Sequence, residues 1–165
     1  MRKRRGYAGI AALLFGLVAA NMAFAQKQGG VLRVFHRDSP ASMSILEEGS
    51  ISAIMPMMGV FNNLVLFDQH VRQNRVESIV PELATGWSWS EDGTELNFKL
   101  REGVKWHDDK PFTAADVKCT YDLLTGKATE KLRLNYREAW FLNIDKVTTS
   151  GDSDVTFHLK HPNQP

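Results

Sequence analysis

The sequence predicts an α/β fold that contains a small mixed α+β unit. Residues 95–101 alternate large apolar and polar side chains, and residues 154–160 repeat the order acid, aliphatic, polar, Phe, basic, Leu, basic. An alternation with a period of two is typical of a strand with one buried face. Thr113 and Asp116 form a capping-box pattern, which marks the start of a helix. We therefore expect two similar strands of one antiparallel sheet, with a helix beside them.

Residues 1–25 have the order of a secretory signal peptide. Basic residues 2–5 precede an apolar segment, 6–20, and Ala23-Phe24-Ala25 forms a small-residue cleavage site before Gln26. The alternative is a membrane anchor, but the apolar segment is short and rich in Ala and Gly. We therefore expect export to the periplasm, with cleavage after Ala25.

Charge and cysteine content argue against a nucleic-acid-binding protein and against a disulfide-stapled secreted protein. Four of the 20 Lys and Arg residues leave with the signal peptide, so 16 remain against 19 acidic residues, a net charge of −3. A mildly acidic chain gives no reason to expect nucleic acid as a partner. Cys119 is the single cysteine, so an intrachain disulfide is impossible. We expect Cys119 to be a small buried residue rather than a reactive thiol.

The first elements after the signal peptide are a strand and a loop. Residues 31–35 are mostly apolar and predict a strand, and the polar residues 36–44 contain Pro40 and leave it as a loop. Loops at the ends of buried strands are common ligand positions in α/β folds. Asp38 and Ser39 are the polar groups best placed to bind a ligand there. The alternative is an ordinary turn in which Asp38 caps the following segment.

Residues 45–67 predict an interrupted core helix followed by a short strand. The segment 45–61 is apolar, contains Pro56 and holds the methionines 55, 57 and 58. A helix broken near the proline is the favoured interpretation, and a methionine-lined pocket is the alternative. Residues 64–67 then form an apolar run that predicts a strand.

The central stretch, residues 82–118, predicts a hairpin and a helix. Asp92-Gly93 is typical of a two-residue type I′ turn, in which both central residues have positive φ. With the turn centred there, the facing pairs are Trp89 with Leu96, Trp87 with Phe98, and Ser88 with Asn97. The tryptophans therefore share the core face with Phe98. Phe112 and Val117 have the spacing of a hydrophobic staple on the helix, and Gly126 is placed to end it.

The last third of the chain predicts a charged connection and a second hairpin. Residues 127–137 are rich in charge, which favours a solvated helix or loop over a site for an acidic ligand. Residues 147–160 form a hairpin pattern around Gly151-Asp152. Its second strand is the one that resembles residues 95–101.

Catalytic and metal-binding patterns are weak. Asp108 and Asp109 are adjacent, so they are better explained as turn formers than as a joint acid and base. His107 beside them lacks the ligand spacing of a metal site, and His158 and His161 have no evident third ligand. The nucleophile, zinc and phosphate motifs of enzymes are missing from the sequence. We expect no catalytic residue, no metal and no cofactor.

Four runs of residues, taken together, resemble the signature of the family 5 extracellular solute-binding proteins. These are the peptide- and oligopeptide-binding proteins of ABC importers. The runs are LATGW at 83–87, EDGT at 91–94, FKLREGVKWHD at 98–108 and PFTAADVK at 111–118. The resemblance continues in GGVLRV at 29–34 and FNNLVLFD at 61–68, so it spans most of the mature chain.

The resemblance implies a fold like that of type II periplasmic binding proteins. The chain would contain only the start of lobe I, residues 26–45, and the small extra subdomain of that lobe, residues 46–165. We expect that this subdomain is incomplete and that the chain is a fragment. The resemblance also implies that the loop carrying Asp38 and Ser39 contacts the ligand.

The implied function is capture of peptides or similar small solutes by a monomer and their delivery to an ABC permease in the inner membrane. Nickel, opines and sugars remain possible solutes. The alternatives are an exported hydrolase using Asp108 and Glu102, and a truncated remnant that binds nothing. Two departures from the family stand out. Asp109 replaces a usual glycine, which predicts a strained turn, and Ser44-Ile45 replaces a common Asp-Pro.

Overall fold

A computed structural model describes residues 29–36 and 38–163, and the predicted signal peptide, residues 1–25, lies outside them. The chain divides after residue 36 into two units. In the first, residues 29–36 form no helix or strand, and the side chains of Val31 and Phe35 are 86% and 91% exposed. The strand predicted for residues 31–35 is therefore wrong. A strand needs a neighbour to satisfy its backbone groups, and an apolar composition does not supply one.

The second unit combines two antiparallel sheets with two helices. The elements are α1 (Ile51–Met57), β1 (Val65–Phe67), β2 (Ile79–Pro81), β3 (Ala84–Trp89), β4 (Glu95–Leu100), α2 (Ala114–Leu124), β5 (Ile144–Ser150) and β6 (Asp154–Leu159). Strands β1 and β2 pair with each other, and the larger sheet has the order β3-β4-β6-β5. Short 3-10 turns at Val76–Ser78 and Glu138–Phe141 complete the path. Over the described part of the chain, helices are too short or too polar to cross a bilayer.

The apolar core lies between α2 and one face of the larger sheet. The ring of Phe157 on β6 meets Phe98 on β4 edge-on, with ring centroids 5.5 Å apart. It also meets Tyr121 on α2 at 4.6 Å. Phe98, Phe157 and Val117 of α2 are all buried. Since Phe157 contacts both the neighbouring strand and the helix, it joins the two layers of the core.

The register predicted for the first hairpin is confirmed, although its turn type is wrong. Trp89 faces Leu96 and Trp87 faces Phe98. The loop spans residues 91–94, and only Gly93 has a positive φ, of 68°, whereas a type I′ turn also requires one at Asp92. A four-residue loop has the same centre as a two-residue one, so the pairing is unchanged. Trp87 is 38% exposed on the edge strand, so it is not the core residue that was predicted.

Hydrogen bonds to Asp92 explain why the longer loop is preferred. The Oδ1 atom of Asp92 accepts bonds from the Ser90 hydroxyl at 2.7 Å and from the Thr94 hydroxyl at 2.8 Å. It also accepts one from the Thr94 N–H at 3.1 Å. These bonds favour the carboxylate and lower the pKa of Asp92 from 3.8 to about 2. The side chain thereby closes the turn locally, as Asx turns do.

The two similar strands belong to one antiparallel sheet, as the sequence predicts, and the structure makes them direct neighbours. Strands β4 and β6 are antiparallel neighbours, with Phe98 facing Val155 and Leu96 facing Phe157. The second hairpin is also confirmed, since β5 and β6 are joined at Gly151, whose φ is 61°.

Helix α2 begins and ends where the sequence predicts. The N–H of Thr113 donates to Oδ2 of Asp116 at 2.7 Å, as in a capping box. Gly126, just beyond the helix, has a φ of 70°, which glycine tolerates without strain. Cys119 lies on this helix but is exposed, so the prediction of a buried thiol is wrong. The residue is two positions after buried Val117, which places it on the solvent face of the helix.

The apolar segment around Pro56 contributes little to the core. Helix α1 spans seven residues with Pro56 inside it, and Ala53 is its buried residue. Met55 and Met58 are 58% and 68% exposed, so neither a core helix nor a methionine-lined pocket is present in this segment.

We expect Asp109→Gly to raise the free energy of unfolding. Asp109 has a φ of 66°, so the strained turn predicted at residues 108–109 is confirmed. An L-residue in this left-handed region costs about 1–2 kcal/mol, and glycine avoids that cost. Glycine also loses more conformational entropy on folding, which offsets part of the gain in stability. The exposed pair with Lys105, at 3.9 Å, contributes little. Chemical denaturation should show a gain of up to about 1 kcal/mol, and Asp109→Ala should show none.

Candidate functional site

The loop predicted to bind a ligand forms an open bend. Asp38 and Ser39 are both exposed. The N–H of Ser39 donates to Oδ1 of Asp38 at 2.8 Å, which is the local bond of an ordinary turn. This bond does not hide the carboxylate, because an ionised Asp offers about four acceptor positions. The bend therefore fits the alternative interpretation of an ordinary turn, and ligand contact at Asp38 stays a prediction.

The segment that follows this bend is held by a distant part of the chain. The guanidinium of Arg137 donates to the backbone carbonyl of Ile45 at 2.5 Å and to that of Glu48 at 3.2 Å. The N–H of Arg133 donates to the carboxylate of Glu47 at 2.7 Å. The charged connection after α2 is thus a loop, as predicted, and the guanidinium of Arg137 in it holds residues 45–48 in place.

The face of the larger sheet opposite the core is polar. Side chains alternate along a strand, so the neighbours of Phe98 and Phe157 point away from α2. Their facing pairs across β4 and β6 are Glu95 with His158, Asn97 with Thr156, and Lys99 with Asp154. On β5, Thr148 faces Thr156 and Lys146 faces His158. We call this surface the polar sheet face.

A shallow depression of about 320 Å³ lies on the polar sheet face. Its lining includes Gly86, Ser88, Asn97, Lys99, Asp154 and Thr156. A Cβ atom added at Gly86 would meet nothing within 4 Å, so the space above this glycine is open. The ammonium of Lys99 pairs with Asp154 at 2.9 Å, which balances the charge of the depression.

A carboxylate, an imidazole and a hydroxyl form a hydrogen-bonded series beside the depression. Oε1 of Glu95 lies 3.0 Å from Nδ1 of His158. Nε2 of the same ring lies 2.8 Å from Oγ1 of Thr148. An ionised Glu95 can only accept, so it favours the tautomer with a proton on Nδ1. The lone pair of Nε2 then faces the Thr148 hydroxyl. We call these three residues the Glu-His-Thr series.

Asp108, predicted as a hydrolase residue in the alternative interpretation, is engaged in a turn. Its carboxylate pairs with the ammonium of Lys110 at 2.7 Å and accepts the N–H of the same residue at 3.3 Å. These bonds lower the pKa of Asp108, whereas a general acid needs a raised one. Glu102 is exposed. Asp108 is thus a turn former, which was the favoured interpretation.

Histidine ligation is also limited in the described residues. The imidazole of His158 is engaged at both ring nitrogens, by Glu95 and by Thr148. Between residues 29 and 163, leaving aside residue 37, no three His, Cys, Asp or Glu side chains are grouped as a metal site requires.

The sequence patterns do not point to Glu95 or Thr148, and His158 enters only as a metal-ligand candidate without a third partner. The similarity of residues 95–101 and 154–160 held a usable signal. When these strands pair so that the first residue of each faces the fifth of the other, Glu95 meets His158 and Asp154 meets Lys99. Each of the two acidic residues, Glu95 and Asp154, then faces a basic residue. No comparable pattern points to Thr148, which comes from a third strand.

Comparison with known proteins gives one family. Residues 78–165 match the family model described as bacterial extracellular solute-binding proteins, family 5 Middle. A putative ABC transporter peptide-binding protein of Brucella ovis is 34% identical over 102 residues, which cover 62% of this chain and 18% of the relative. The dipeptide-binding protein of Escherichia coli is 34% identical over 100 residues, or 53% of this chain and 19% of that protein.

Solved structures agree on the fold. The periplasmic binding protein DppA from Helicobacter pylori, in complex with peptide STSA, aligns with a TM-score of 0.63 and 23% identity. The alignment covers 77% of this chain and 26% of that one. NikZ from Campylobacter jejuni, in complex with Ni(L-His), aligns with a TM-score of 0.57 and 26% identity, covering 76% and 23%. The described residues therefore have the fold of one part of a periplasmic binding protein, and the chain spans about 18% of the first relative's length.

Proposed function

Because the chain belongs to the bacterial extracellular solute-binding proteins of family 5, we propose that it forms part of the periplasmic binding component of an ABC importer. Its solutes are peptides or similar small molecules. The observation that carries this proposal is the family match, which extends over more than half of the chain. Relatives named for peptide and dipeptide binding support the solute class.

Asp38 and Ser39 are proposed as ligand contacts. Both are exposed, and the Asp38 carboxylate would accept hydrogen bonds from a positively charged or N–H group of the solute. Binding would close two lobes around the solute, because a ligand that contacts both lobes favours the closed state. We keep residues 26–45 as the start of lobe I and residues 46–165 as its extra subdomain within this proposal.

Export, oligomeric state and partners belong to the same proposed function. The precursor would be cleaved after Ala25, and the mature protein would act as a monomer that delivers its solute to an inner-membrane permease. It would carry out transport rather than catalysis and need no cofactor. N-terminal sequencing of protein recovered from the periplasm would find Gln26 first, and an uncleaved N-terminus would contradict the cleavage site.

We expect Asp38→Asn to weaken solute binding by about tenfold, since a hydrogen bond to a charged group contributes about 1.5–3 kcal/mol. The measurement is isothermal titration of the longest exported protein that carries this chain, with a peptide that binds the unmodified protein. Glu130→Gln makes the same charge change at an exposed residue after α2 and should leave the affinity unchanged. Equal affinities for all three proteins would remove Asp38 from the site.

A further inference from the structure

The three members of the Glu-His-Thr series lie on three different strands and differ in chemistry: a carboxylate, an imidazole and a hydroxyl. Glu95 lies on β4, His158 on β6 and Thr148 on β5, so the register of the sheet fixes their spacing. Both links, of 3.0 Å and 2.8 Å, fall within hydrogen-bonding distance. A nucleophile within reach of a base, with that base oriented by a carboxylate, is the arrangement that activates a hydroxyl. The function proposed above makes no use of it.

The protonation states suit proton removal from Thr148. The Glu95 carboxylate holds the proton of His158 on Nδ1, which leaves Nε2 as the acceptor for the hydroxyl. When Nε2 takes that proton, the imidazolium stays paired with Glu95. Thr148 is exposed, and the side chain of His158 is 24% exposed, so a reagent can reach both.

The depression on the polar sheet face lies over β3, β4 and β6, one strand away from Thr148 on β5. Thr156 lines the depression, and it is the direct cross-strand partner of Thr148. Side chains that face each other in this way lie about 4.5–5.5 Å apart at Cβ. Lys146 is two residues from Thr148 on the same strand face and directly opposite His158, so it adds a positive charge to the surface.

We propose that Thr148 is an acyl-accepting nucleophile, with His158 as its base and Glu95 as the residue that orients the base. The substrates are small activated acyl esters. Oγ1 of Thr148 forms a bond to the acyl carbon, and the bond between that carbon and the leaving oxygen breaks. The Oγ1 proton passes to Nε2 of His158 and then to the leaving oxygen. The products are O-acyl-Thr148 and the free alcohol or phenol.

The test is acetylation of the purified chain by p-nitrophenyl acetate, followed by peptide mapping with mass spectrometry. We expect an acetyl group on Thr148 of the unmodified protein. His158→Gln should slow its formation by about a hundredfold, the lower end of the range for a general base. Thr148→Ser should still be acetylated at position 148, and Thr148→Val should not. Glu95→Gln should slow the reaction by about tenfold or more, since it no longer fixes the tautomer.

Matched controls separate this chemistry from general reactivity. Thr149→Val changes the neighbouring residue, whose side chain points to the other side of the strand, and should leave Thr148 acetylation unchanged. Thermal unfolding of each variant establishes that the sheet is intact. Each variant at position 148 differs from threonine by one group, since serine lacks the methyl and valine has a methyl in place of the hydroxyl. Acetylation confined to lysines, or a rate at Thr148 that is the same with and without His158, would overturn the proposal.

Discussion

Replacing Phe157 with alanine should lower the free energy of unfolding by about 3–5 kcal/mol. The Phe157 ring is 5% exposed and contacts Phe98 and Tyr121 edge-on, at 5.5 Å and 4.6 Å between ring centroids. Its removal leaves a cavity between the sheet and α2 that neither rigid element can close. Urea denaturation followed by circular dichroism measures the change.

Phe35→Ala is the matched control for Phe157→Ala. It deletes the same side chain at a residue that is 91% exposed, and surface substitutions usually change stability by less than about 0.5 kcal/mol. Similar losses for the two variants would contradict the placement of the core between α2 and the sheet. A larger loss of stability in Phe157→Ala than in Phe35→Ala would show that burial, and not the type of side chain, sets the cost.

Arg137→Ala should lower the free energy of unfolding by about 2 kcal/mol and release residues 45–48. Arg137 is half-buried and donates to the carbonyls of Ile45 and Glu48, and hydrogen bonds to charged groups contribute about 1.5–3 kcal/mol. The expected loss is smaller than the sum of the two hydrogen bonds, because water can bond to the two carbonyls once the guanidinium is removed. Hydrogen exchange should show faster exchange at the N–H of Glu48, which donates to Ser44 at 3.0 Å.

Arg133→Ala is the matched control for Arg137→Ala. Its side chain is 66% exposed and lies 3.9 Å from Glu48, so the pair contributes about 0–1 kcal/mol. The N–H of Arg133 that binds Glu47 belongs to the backbone and is retained. Unchanged exchange at Glu48 in the Arg137 variant would contradict the role assigned to the guanidinium.

Local pattern predicts most of the described sheet and its helix. The centre of the turn at residues 92–93 fixes the pairing of Trp87 with Phe98, because loops of two and four residues share one centre. Thr113 and Asp116 fix the start of α2 through a bond between residues three apart. These features depend only on residues that lie close together in the sequence, so they can be read from the sequence alone.

Features that depend on more than one short motif could not be predicted in the same way. The turn type at Asp92 is decided by bonds from Ser90 and Thr94, each two residues away, to one oxygen, which the dipeptide Asp-Gly does not reveal. The exposure of Cys119 depends on which helix face the sheet covers. Strands β4 and β6 are joined through more than fifty residues, so their register, and with it the approach of Glu95 to His158, follows from packing.

The site predicted from the sequence and the site found in the structure are different kinds of surface. Asp38 and Ser39 are predicted from their place after the first predicted strand and from the family resemblance, and they lie in an open bend. The Glu-His-Thr series lies in a regular sheet whose own strands complete it. Peptide mapping at Thr148 therefore tests the second surface separately from solute binding.

Solute binding is the proposed function of the protein that carries this chain. It is tested by isothermal titration of the longest exported protein that carries the chain against short peptides, nickel complexes, opines and sugars. We predict saturable binding of one solute per monomer, with peptides the strongest class. No binding of any of these solutes by a folded protein would contradict the claim.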